Sequence, residues 1–518
     1  MGREKSDDRV VPQGRRKTVV TTERQGGKAV AASKQARQLE LIFATADSPK
    51  GDVDAADNGL PKPATIAVPK AKGMKGNVAP AMTMEEVAEL ENLKQAFEKV
   101  ASNKGAPGPD KQSIAEVRTQ LDELLPKLHR ALLDGSYEPG MIRRVWIPKP
   151  GGQRGLGIPD VIDRLVQQAA LQVLGPNYEP TFHASSHGFR PEHSCHTAIA
   201  EAQQHLEAGY WWVVDLDLEK FFDRVSHDRL LSRLEERIKD RRIIRLIRQM
   251  LKAKVVMPDG VVVSNEEGTP QGGPLSPLLS NIVLDELDHE LARRGHRFVR
   301  YADDCNVYVR SRRSGERVMA SLTRFIETRL RLKVNAAKSA VARPEERHFL
   351  GFRLQAGELP GESAVLLSER TRVRIGDRIR ELTPRNFGQS LKDCIRKTND
   401  YLVGWIGFFW ICTAEVERTL QTLDAHIRRR LRAIQLRHWK RRRSMVRHLI
   451  QLGVRPKTAW GGVYGGRRSI WALSHTSCVD RGLNNAYFAE RGLLSLAQRW
   501  RELQARTVNV PTQLALLG

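Results

Sequence analysis

The stretch "FVRYADDCNVYVRS", residues 298–311, places two adjacent carboxylates, Asp303 and Asp304, between two short runs of β-branched and aromatic residues. Such runs favour strands and aspartate favours turns, so the stretch predicts a β-hairpin whose turn carries both carboxylates. An isolated pair of this kind is most often only a solvated turn. Whether the pair has a function therefore depends on the other groups that the chain can bring to it.

A second pair of carboxylates, Asp215 and Asp217, lies in "WWVVDLDLEKFF", residues 211–222. Two residues apart on a strand, these side chains share a face, and the apolar run before them indicates that the strand is buried. Buried charges cost free energy unless a positive group compensates them. A pair of Mg²⁺ ions would do so, because hard cations bind carboxylate oxygens and can hold a triphosphate at the same time. The two carboxylate sites together therefore predict a two-metal centre for phosphoryl transfer.

The composition of the chain indicates a nucleic-acid partner. The chain has 518 residues and a formal net charge of +25 at pH 7, so it exceeds one ordinary domain and should attract polyanions. No run approaches the roughly 18 apolar residues of a membrane span, which predicts no membrane partner. The five cysteines are odd in number and contain no C-x-x-C pair, which argues against a disulfide framework and a zinc site. The sequence therefore predicts a cytoplasmic protein, with association with the nucleoid left open.

The rest of the chain divides into regions of different character. Residues 1–81 are rich in Lys, Ala, Gly and Pro and predict a disordered basic arm. A helical pattern begins near Thr83, a predicted N-cap, and residues 141–159 predict a strand, a Gly/Pro turn and a second strand. The loop "GTPQGGPLSP", residues 268–277, is predicted to open a helix with Ser276 as its N-cap.

Five motif blocks spread over about two hundred residues resemble those of one family. They are "RGLGIP" with "DRLVQQA", "DLDLEKFFD", "TPQGGPLSPLLSNI", "YADD" and "FLGF". Together they resemble the motifs of a reverse transcriptase of the bacterial, group II intron-encoded type. The later segments "YLVGWIGFF" and "WALSHTSCVDRGLNNAYFAERGLLSL" resemble the maturase region and the end of such proteins. The resemblance covers roughly residues 83 to 500.

The resemblance implies an α+β fold, a right-hand polymerase with fingers and a palm built on an antiparallel sheet, followed by a helical thumb and maturase region. It implies fingers and palm at residues 82–365, the helical thumb and maturase (X) region at 366–450, and a maturase or DNA-binding-like tail at 451–518. The family's optional HNH endonuclease would show paired His and Cys residues after the maturase segment, and none follow. We therefore expect a member of the subclass that lacks this module.

The resemblance also implies roles for the carboxylates. Asp217 rather than Asp215 matches the first metal ligand, because the family has an aromatic residue five positions later, where this chain has Phe222. Asp303 matches the second ligand, and Asp304 matches the adjacent carboxylate that assists metal binding. The resemblance thus implies that the last two and Asp217 are catalytic residues that hold Mg²⁺, with Asp215 in a supporting role.

A binding site for the incoming nucleotide follows from the same resemblance. Gln271 and Gly272 match the loop that lines the nucleotide, where glycine lets the backbone approach closely. Lys149 and Arg154 flank the "PGGQ" turn and match the residues that hold the triphosphate, a task suited to an ammonium and a forked guanidinium. An ordinary loop and solvated surface charge are the alternatives. The full nucleotide-binding set is Lys149, Arg154, Leu218, Phe222, Gln271, Gly272 and Lys338.

Two members of this set have particular implied roles. Lys338 matches a lysine near the triphosphate that could protonate the departing pyrophosphate. Phe222 matches the aromatic residue under the incoming sugar, where a planar ring would collide with a ribose 2′-hydroxyl and clear a deoxyribose. The alternatives are a surface lysine and a core phenylalanine.

Beyond about residue 370 the pattern is mainly helical and basic, and residues 426–450 interleave clustered Arg and Lys with an apolar set compatible with one buried stripe. Like charges at this density repel one another without a polyanion, which favours RNA over a merely solvated helix face. Tyr464, Arg467, Arg468 and Trp471 could contact target DNA, although packing is an equal alternative for the aromatics. The predicted RNA- and DNA-binding residues are Arg428, Arg429, Arg432, Lys440, Arg441, Arg442 and Arg443.

The sequence and its resemblance therefore predict an RNA-directed DNA polymerase that is also the maturase of its own group II intron. The expected partners are the intron RNA, an RNA template with a DNA primer, deoxynucleoside triphosphates and target DNA. A reverse transcriptase of a retron, diversity-generating or phage-defence system is one alternative, against which the intron-type C-terminal segment argues. A splicing-only, RNA-binding maturase is the other. Such a protein could lose its metal ligands without harm, whereas this chain retains them.

Overall fold

The computed structural model describes residues 82–149, 152–357, 361–384, 388, 390–466 and 469–508. The predicted basic arm, residues 1–81, lies outside this part of the chain. The strands are β1 (Ile142–Lys149), β2 (Gly152–Ile158), β3 (Trp212–Leu216), β4 (Val255–Val256), β5 (Val262–Val263), β6 (Arg297–Tyr301), β7 (Asp304–Val309), β8 (Ala340–Ala342), β9 (Phe352–Ala356) and β10 (Ser363–Leu367).

Helices surround these strands and then make up almost all of the remaining described chain. Up to the last strand the α-helices are Met84–Ala88, Leu90–Ser102, Ile114–Thr119, Leu121–Asp134, Val161–Tyr178, Cys195–Glu207, Phe221–Arg224, His227–Arg237, Arg241–Leu251, Ser276–Arg293 and Arg312–Phe325. After it they are Glu369–Leu382, Leu391–Phe409, Val416–His438, Arg442–Gln451, Pro456–Tyr464, Ile470–Leu473, Ser477–Gly482, Asn485–Ala489 and Leu496–Val508. The predicted α+β class with a helical C-terminal region is confirmed.

The central sheet, which we call the palm sheet, has the strand order β6-β7-β3-β8 with antiparallel pairing throughout. Its side chains alternate between two cores, as the two-residue period of a strand requires. Val214 and Phe298 pack into one core with the helices of the first half of the chain. Val213 and Val299 pack into the other, which continues into the C-terminal helices. Because both faces are covered, a polar side chain inside these strands needs a buried partner, and the carboxylates of the site lie near one end of the sheet.

A second sheet, the fingers sheet, has the order β2-β1-β4-β5. β1 and β2 form the predicted antiparallel pair, with Lys149 opposite Gly152 and Ile147 opposite Arg154. β1 also pairs in parallel with β4. The two strands β9 and β10 form a separate antiparallel ribbon.

Two predicted helix starts have different outcomes. Thr83 is the N-cap of Met84–Ala88, because its side chain accepts a hydrogen bond from the backbone N–H of Glu86, which confirms that prediction. The N-cap prediction for Ser276 is wrong by one residue, since Leu275 is the N-cap and Ser276 is already helical. The Ser276 hydroxyl instead donates to the carbonyl of Pro270 at 2.7 Å and fixes the preceding loop.

The basic segment 426–450 forms two helices with a break between them. The first ends at His438 and the second begins at Arg442. Lys440 has φ +57°, a left-handed conformation that ends an α-helix. In the described ranges, every helix is too short or too polar to be a candidate for crossing a membrane.

Candidate active site

The hairpin predicted around Asp303 and Asp304 is present at one end of the palm sheet. Tyr301 pairs with Asp304, so that Ala302 and Asp303 form a two-residue turn between β6 and β7. Ala302 has φ +56°, a left-handed conformation that costs an ordinary residue roughly 1–2 kcal/mol. The surroundings must therefore hold this turn in place, and with it the carboxylate of Asp303.

Asp217 lies at the same end of the sheet. Leu216, the last residue of β3, pairs with Cys305 in β7, and continuing that register by one step places Asp217 opposite Asp304. The backbone N–H of Asp217 donates to the Ser339 hydroxyl at 3.0 Å, which ties this position to the segment that carries Lys338. Three carboxylates that were predicted from two separate stretches of sequence are thus neighbours.

The electrostatics of Asp303 and Asp304 reflect their burial and the negative charges around them. Burial raises the pKa of Asp303, and the charge of Asp217 raises it further while Arg154 opposes the rise. The pKa of Asp304 is raised to about 7, chiefly because surrounding protein displaces water and then because Asp303, Asp215 and Asp217 repel its charge. Asp304 is nevertheless exposed at one side, so solvent and a cation can reach its carboxylate.

The donors at this end of the sheet fit a hard divalent cation. Carboxylate oxygens are the ligands that Mg²⁺ prefers, and a bound cation would relieve their mutual repulsion. In the part of the chain that the structure describes, no three His, Cys, Asp or Glu side chains are already grouped so as to hold a metal ion. Mg²⁺ usually takes one or two carboxylates together with waters and substrate phosphates. The arrangement therefore suits an ion that binds together with a nucleotide.

Two cations pair with the carboxylates of the β3 end. The Lys338 ammonium lies 3.3 Å from Oδ2 of Asp217. The Arg347 guanidinium donates from Nε to Oδ2 of Asp215 at 2.7 Å and from Nη2 to the Lys338 carbonyl at 2.6 Å. Burial raises the pKa of Asp215, and the Arg347 contact opposes that rise. Asp215 therefore has a fixed partner, which fits its predicted supporting role.

Arg154 and Gln271, predicted separately as nucleotide-binding residues, contact each other. Nε of Arg154 donates to Oε1 of Gln271 at 2.8 Å, and Arg154 is near enough to Asp303 to lower its pKa. The backbone N–H of Gly157 in β2 donates to the Gln271 carbonyl at 2.7 Å. Gly272 has φ +134°, and a Cβ there would collide with the Gly157 carbonyl oxygen. The loop thus needs glycine in order to lie directly on the fingers sheet.

Phe221 and Phe222 begin the short helix Phe221–Arg224 after Asp217, and both are buried. Their rings meet edge to face, with centroids 5.2 Å apart. Leu218 is also buried and forms an isolated bridge with Val334. The rings therefore pack in the core beside the candidate site, and Phe222 is the more exposed of the two at 8%.

The sequence interpretation missed a buried arginine that holds the turn, Arg300 in β6. Its guanidinium forms a two-pronged contact with Asp288, at 2.7 and 2.5 Å, and both side chains are completely buried. Nη1 also donates to the carbonyl of Ala302 at 2.9 Å. The remaining contacts are to Asn281 and Ser186. A charged residue inside the strand run "FVRY" was the available signal, because a buried charge needs a partner.

The predicted RNA-binding residues divide into exposed and engaged side chains. Lys440, Arg441 and Arg443 are exposed. Arg432 is buried, pairs with Asp480 and donates from Nε to the Leu483 carbonyl at 2.8 Å. Its prediction as an RNA-binding residue is therefore corrected, because its guanidinium serves packing inside the fold.

Two further arginines of the predicted set, Arg429 and Arg442, also have partners within the fold. Arg428 is half-buried. The Arg429 guanidinium lies 4.2 Å from the ring centroid of Trp471, so Trp471 has a packing role. Arg442 donates from Nη1 to the Val463 carbonyl at 2.9 Å. The exposed cations near residue 440 are thus the best candidates for phosphate contacts.

An antiparallel sheet that gathers carboxylates from two neighbouring strand ends, opposite an arginine and a glycine loop, is the arrangement of a metal-dependent nucleotidyltransferase. Comparison with known proteins agrees with that class and narrows it. The reverse transcriptase (RNA-dependent DNA polymerase) family matches residues 147–354. The group II intron, maturase-specific domain matches residues 373–451.

Relatives with curated descriptions share these regions. Protein YkfC of Escherichia coli K12 is 33% identical over 59% of this chain and 88% of its own length. The group II intron-encoded protein LtrA of Lactococcus lactis subsp. cremoris is 39% identical over 37% of this chain, and the match spans only 32% of LtrA. Among solved structures, a chain of a partial Cas6-RT-Cas1–Cas2 complex aligns with a TM-score of 0.31 and 24% identity, over 47% of this chain and 42% of that one. This chain belongs to the family of group II intron-encoded reverse transcriptases with a maturase domain.

Proposed function

We propose that this chain extends a DNA primer on an RNA template from deoxynucleoside triphosphates, and that it also binds group II intron RNA to assist splicing and mobility. The observation that carries the polymerase part is the meeting of Asp217, Asp303 and Asp304 at one end of the palm sheet, beside the contact between Arg154 and Gln271. The matched maturase-specific domain supports the second part.

In the proposed reaction, Asp217 and Asp303 would hold two Mg²⁺ ions, and Asp304 would assist. When bound, these ions supply activation of the primer 3′-hydroxyl and stabilisation of the leaving oxygen. Arg154 orients the triphosphate, because a guanidinium can donate two parallel hydrogen bonds to phosphate oxygens. Lys338 lies beside Asp217 and can give a proton to the departing pyrophosphate. The supporting pair of Asp215 and Arg347 keeps the Lys338 loop against β3.

We further propose the functional regions already predicted, with fingers and palm at 82–365, thumb and maturase at 366–450, and a C-terminal tail from 451. The second hydrophobic core contains Val213 and Val299 of the palm sheet together with Leu431 and Phe488 of the C-terminal helices. Because the palm and the thumb would share this packed core, we expect the thumb to shift against the palm only by small movements between packed helices. We also propose a cytoplasmic location, which the five free cysteines fit.

Primer extension tests the polymerase part directly. We expect the purified full chain to extend a DNA primer on an RNA template when supplied with Mg²⁺ and deoxynucleoside triphosphates. A folded protein that binds group II intron RNA but never extends a primer would instead be a splicing-only maturase. A chain that extends primers but binds group II intron RNA no better than an unrelated structured RNA would favour a reverse transcriptase of another bacterial system.

Sugar discrimination tests the proposed role of Phe222. We expect Phe222→Val to incorporate ribonucleotides with only a modest loss of deoxynucleotide use, because a smaller side chain leaves room for a 2′-hydroxyl. Single-nucleotide incorporation with matched deoxy- and ribonucleotides measures the ratio. Phe221→Ala is the control, since losing this core ring should cost about 3–5 kcal/mol of stability without changing the ratio. Unchanged selectivity in a folded Phe222→Val protein would remove Phe222 from the site.

Salt dependence tests the exposed cations near residue 440. We expect Arg441→Ala with Arg443→Ala to weaken intron-RNA binding and to reduce the slope of log affinity against log salt by roughly one to two, since each lost phosphate contact removes about 0.7–0.9. Affinities measured at several salt concentrations give the slope. Arg432→Ala is the matched control, because that arginine is buried and should leave the slope unchanged. An unchanged slope in the double variant would favour a merely solvated surface.

A further inference from the structure

The helix Pro456–Tyr464 has a buried face and an unusual exposed one. Ala459 and Val463 are buried, and a Cβ at Gly462 would collide with the Cys478 sulfur, so this face is tightly packed. The opposite face carries Trp460 and Tyr464, which are 47% and 44% exposed. Placing two large aromatic rings in water is unfavourable unless they have a partner.

The two exposed rings are already stacked on each other. Their centroids are 5.2 Å apart and their planes differ by 22°. Among the large apolar side chains that are exposed in the described chain, only Trp146 is another aromatic, so the pair is an exception rather than a general property of the surface. Arg442 lies over the Tyr464 ring at 6.0 Å. In the described chain, no further ring or cation covers the Trp460 ring, which leaves a flat aromatic face open.

The charge around the pair has one sign. Lys457 precedes Trp460 by three residues and Tyr464 by seven, which places all three on one helical face. Arg441 and Arg443 are exposed next to Arg442. Residues 425–479 contain 14 Lys and Arg and no Asp or Glu, so no acidic side chain of this segment can neutralise them. A surface that combines these cations with an open aromatic ring is suited to bind a polyanion that also presents flat rings.

We propose that Trp460 and Tyr464 form a stacking platform for an unpaired base of a single-stranded nucleic acid, whose phosphates contact Lys457, Arg441 and Arg443. The proposal rests on the proposed function, since it concerns a chain that works on RNA and DNA, and it adds a site for a single strand outside the palm. A base stacks on the open face of Trp460 and extends the existing stack. The neighbouring cations bind the phosphates of the nucleic-acid backbone.

A single strand fits these observations better than the other polyanions. Inside a duplex the faces of the bases are covered by their neighbours, so apart from its two end pairs a duplex offers phosphates but no ring face to Trp460. An acidic protein segment could satisfy the cations and could bury the rings by apolar contact alone. It would have no need of a flat aromatic surface. The distinction can therefore be tested by changing the shape of the side chain and keeping it apolar.

The experiment compares Trp460→Leu with Trp460→Phe in the full chain. The probes are labelled 12-nucleotide strands of oligo(dT) and oligo(U) and a long DNA duplex, in which the exposed end pairs are a small fraction of all base pairs. We expect Trp460→Leu to lose roughly fivefold to a hundredfold in single-strand affinity, because stacking on one base is worth that much, and Trp460→Phe to retain most of the affinity. The salt slope should stay as in the unmodified chain, since no phosphate contact is removed. The DNA and RNA strands show which nucleic acid uses the site.

Each outcome is decisive. Equal affinities for the Leu and Phe variants would overturn the platform, and so would an equal loss for the duplex. If Trp460→Leu lowered both the single-strand affinity and its salt slope, Trp460 would act by positioning the neighbouring cations that contact phosphates, and the platform would be overturned. Primer extension on a pre-annealed template–primer is measured in parallel, and its failure in the unmodified chain would count against the proposed function while leaving the binding result intact. Thermal melts verify folding, which both exposed substitutions should preserve.

Discussion

Asp303→Asn is expected to reduce primer extension by about three orders of magnitude or more while leaving RNA binding intact. The amide keeps the shape of the side chain but removes the negative charge that would hold a metal ion. Metal stabilisation of phosphoryl transfer is worth several kcal/mol, and each 1.4 kcal/mol corresponds to about a tenfold change in rate. Steady-state extension on an RNA template measures the first effect, and direct titration with intron RNA measures the second.

The matched control is Asp259→Asn on the exposed turn between β4 and β5. Its carboxylate accepts a hydrogen bond from the backbone N–H of Val261, and an amide oxygen can accept the same bond. We expect this variant to extend primers at the normal rate. Extension by Asp303→Asn within tenfold of the unmodified chain would mean that the carboxylate does not hold a catalytic metal ion.

The local parts of this site could be predicted from the sequence because they depend on short-range rules. The hairpin around Asp303 follows from two strand-forming runs on either side of a turn, and the shared face of Asp215 and Asp217 follows from the two-residue period of a strand. The pairing of β3 with β7 is different, because it joins residues about ninety positions apart. Only the family resemblance implied that these stretches meet.

The ion pairs of the site could not be predicted from the sequence, because the position of a charged residue in the chain does not indicate which residue it pairs with. Arg347 and Arg300 are each one arginine among many in a strongly basic chain, yet they bind Asp215 and Asp288. The same ambiguity explains the error at Arg432, since a run of arginines on a helix does not tell which one faces a neighbouring helix. Local patterns also lose to tertiary contacts, as at Ser276, whose hydroxyl binds a loop carbonyl instead of capping its helix.

Arg300 links the stability of the fold to the geometry of the candidate site. Its guanidinium binds Asp288 on the helix Ser276–Arg293 and the carbonyl of Ala302 in the turn. The second contact holds the carbonyl of the left-handed Ala302 in place, in addition to the pairing of Tyr301 with Asp304 that closes the turn. If the backbone of Ala302 alone left the left-handed conformation, the Asp303 carboxylate would move relative to Asp217. The two effects can be separated because they depend on different partners of the same side chain.

Arg300→Met is expected to destabilise the fold by about 3–5 kcal/mol, because it leaves the buried carboxylate of Asp288 without its partner. Adding Asp288→Leu should recover much of that loss, since apolar pairs often replace buried ion pairs without cost. The double variant still lacks the donor to the Ala302 carbonyl, so we expect it to fold, to extend primers slowly and to require more Mg²⁺ for half-maximal extension. Thermal melts and Mg²⁺ titrations measure the two effects. Arg432→Met is the control, because it removes a buried guanidinium from the helical region and should lower the melting temperature without shifting the Mg²⁺ requirement. A stable double variant with an unchanged Mg²⁺ requirement would mean that Arg300 serves only the fold.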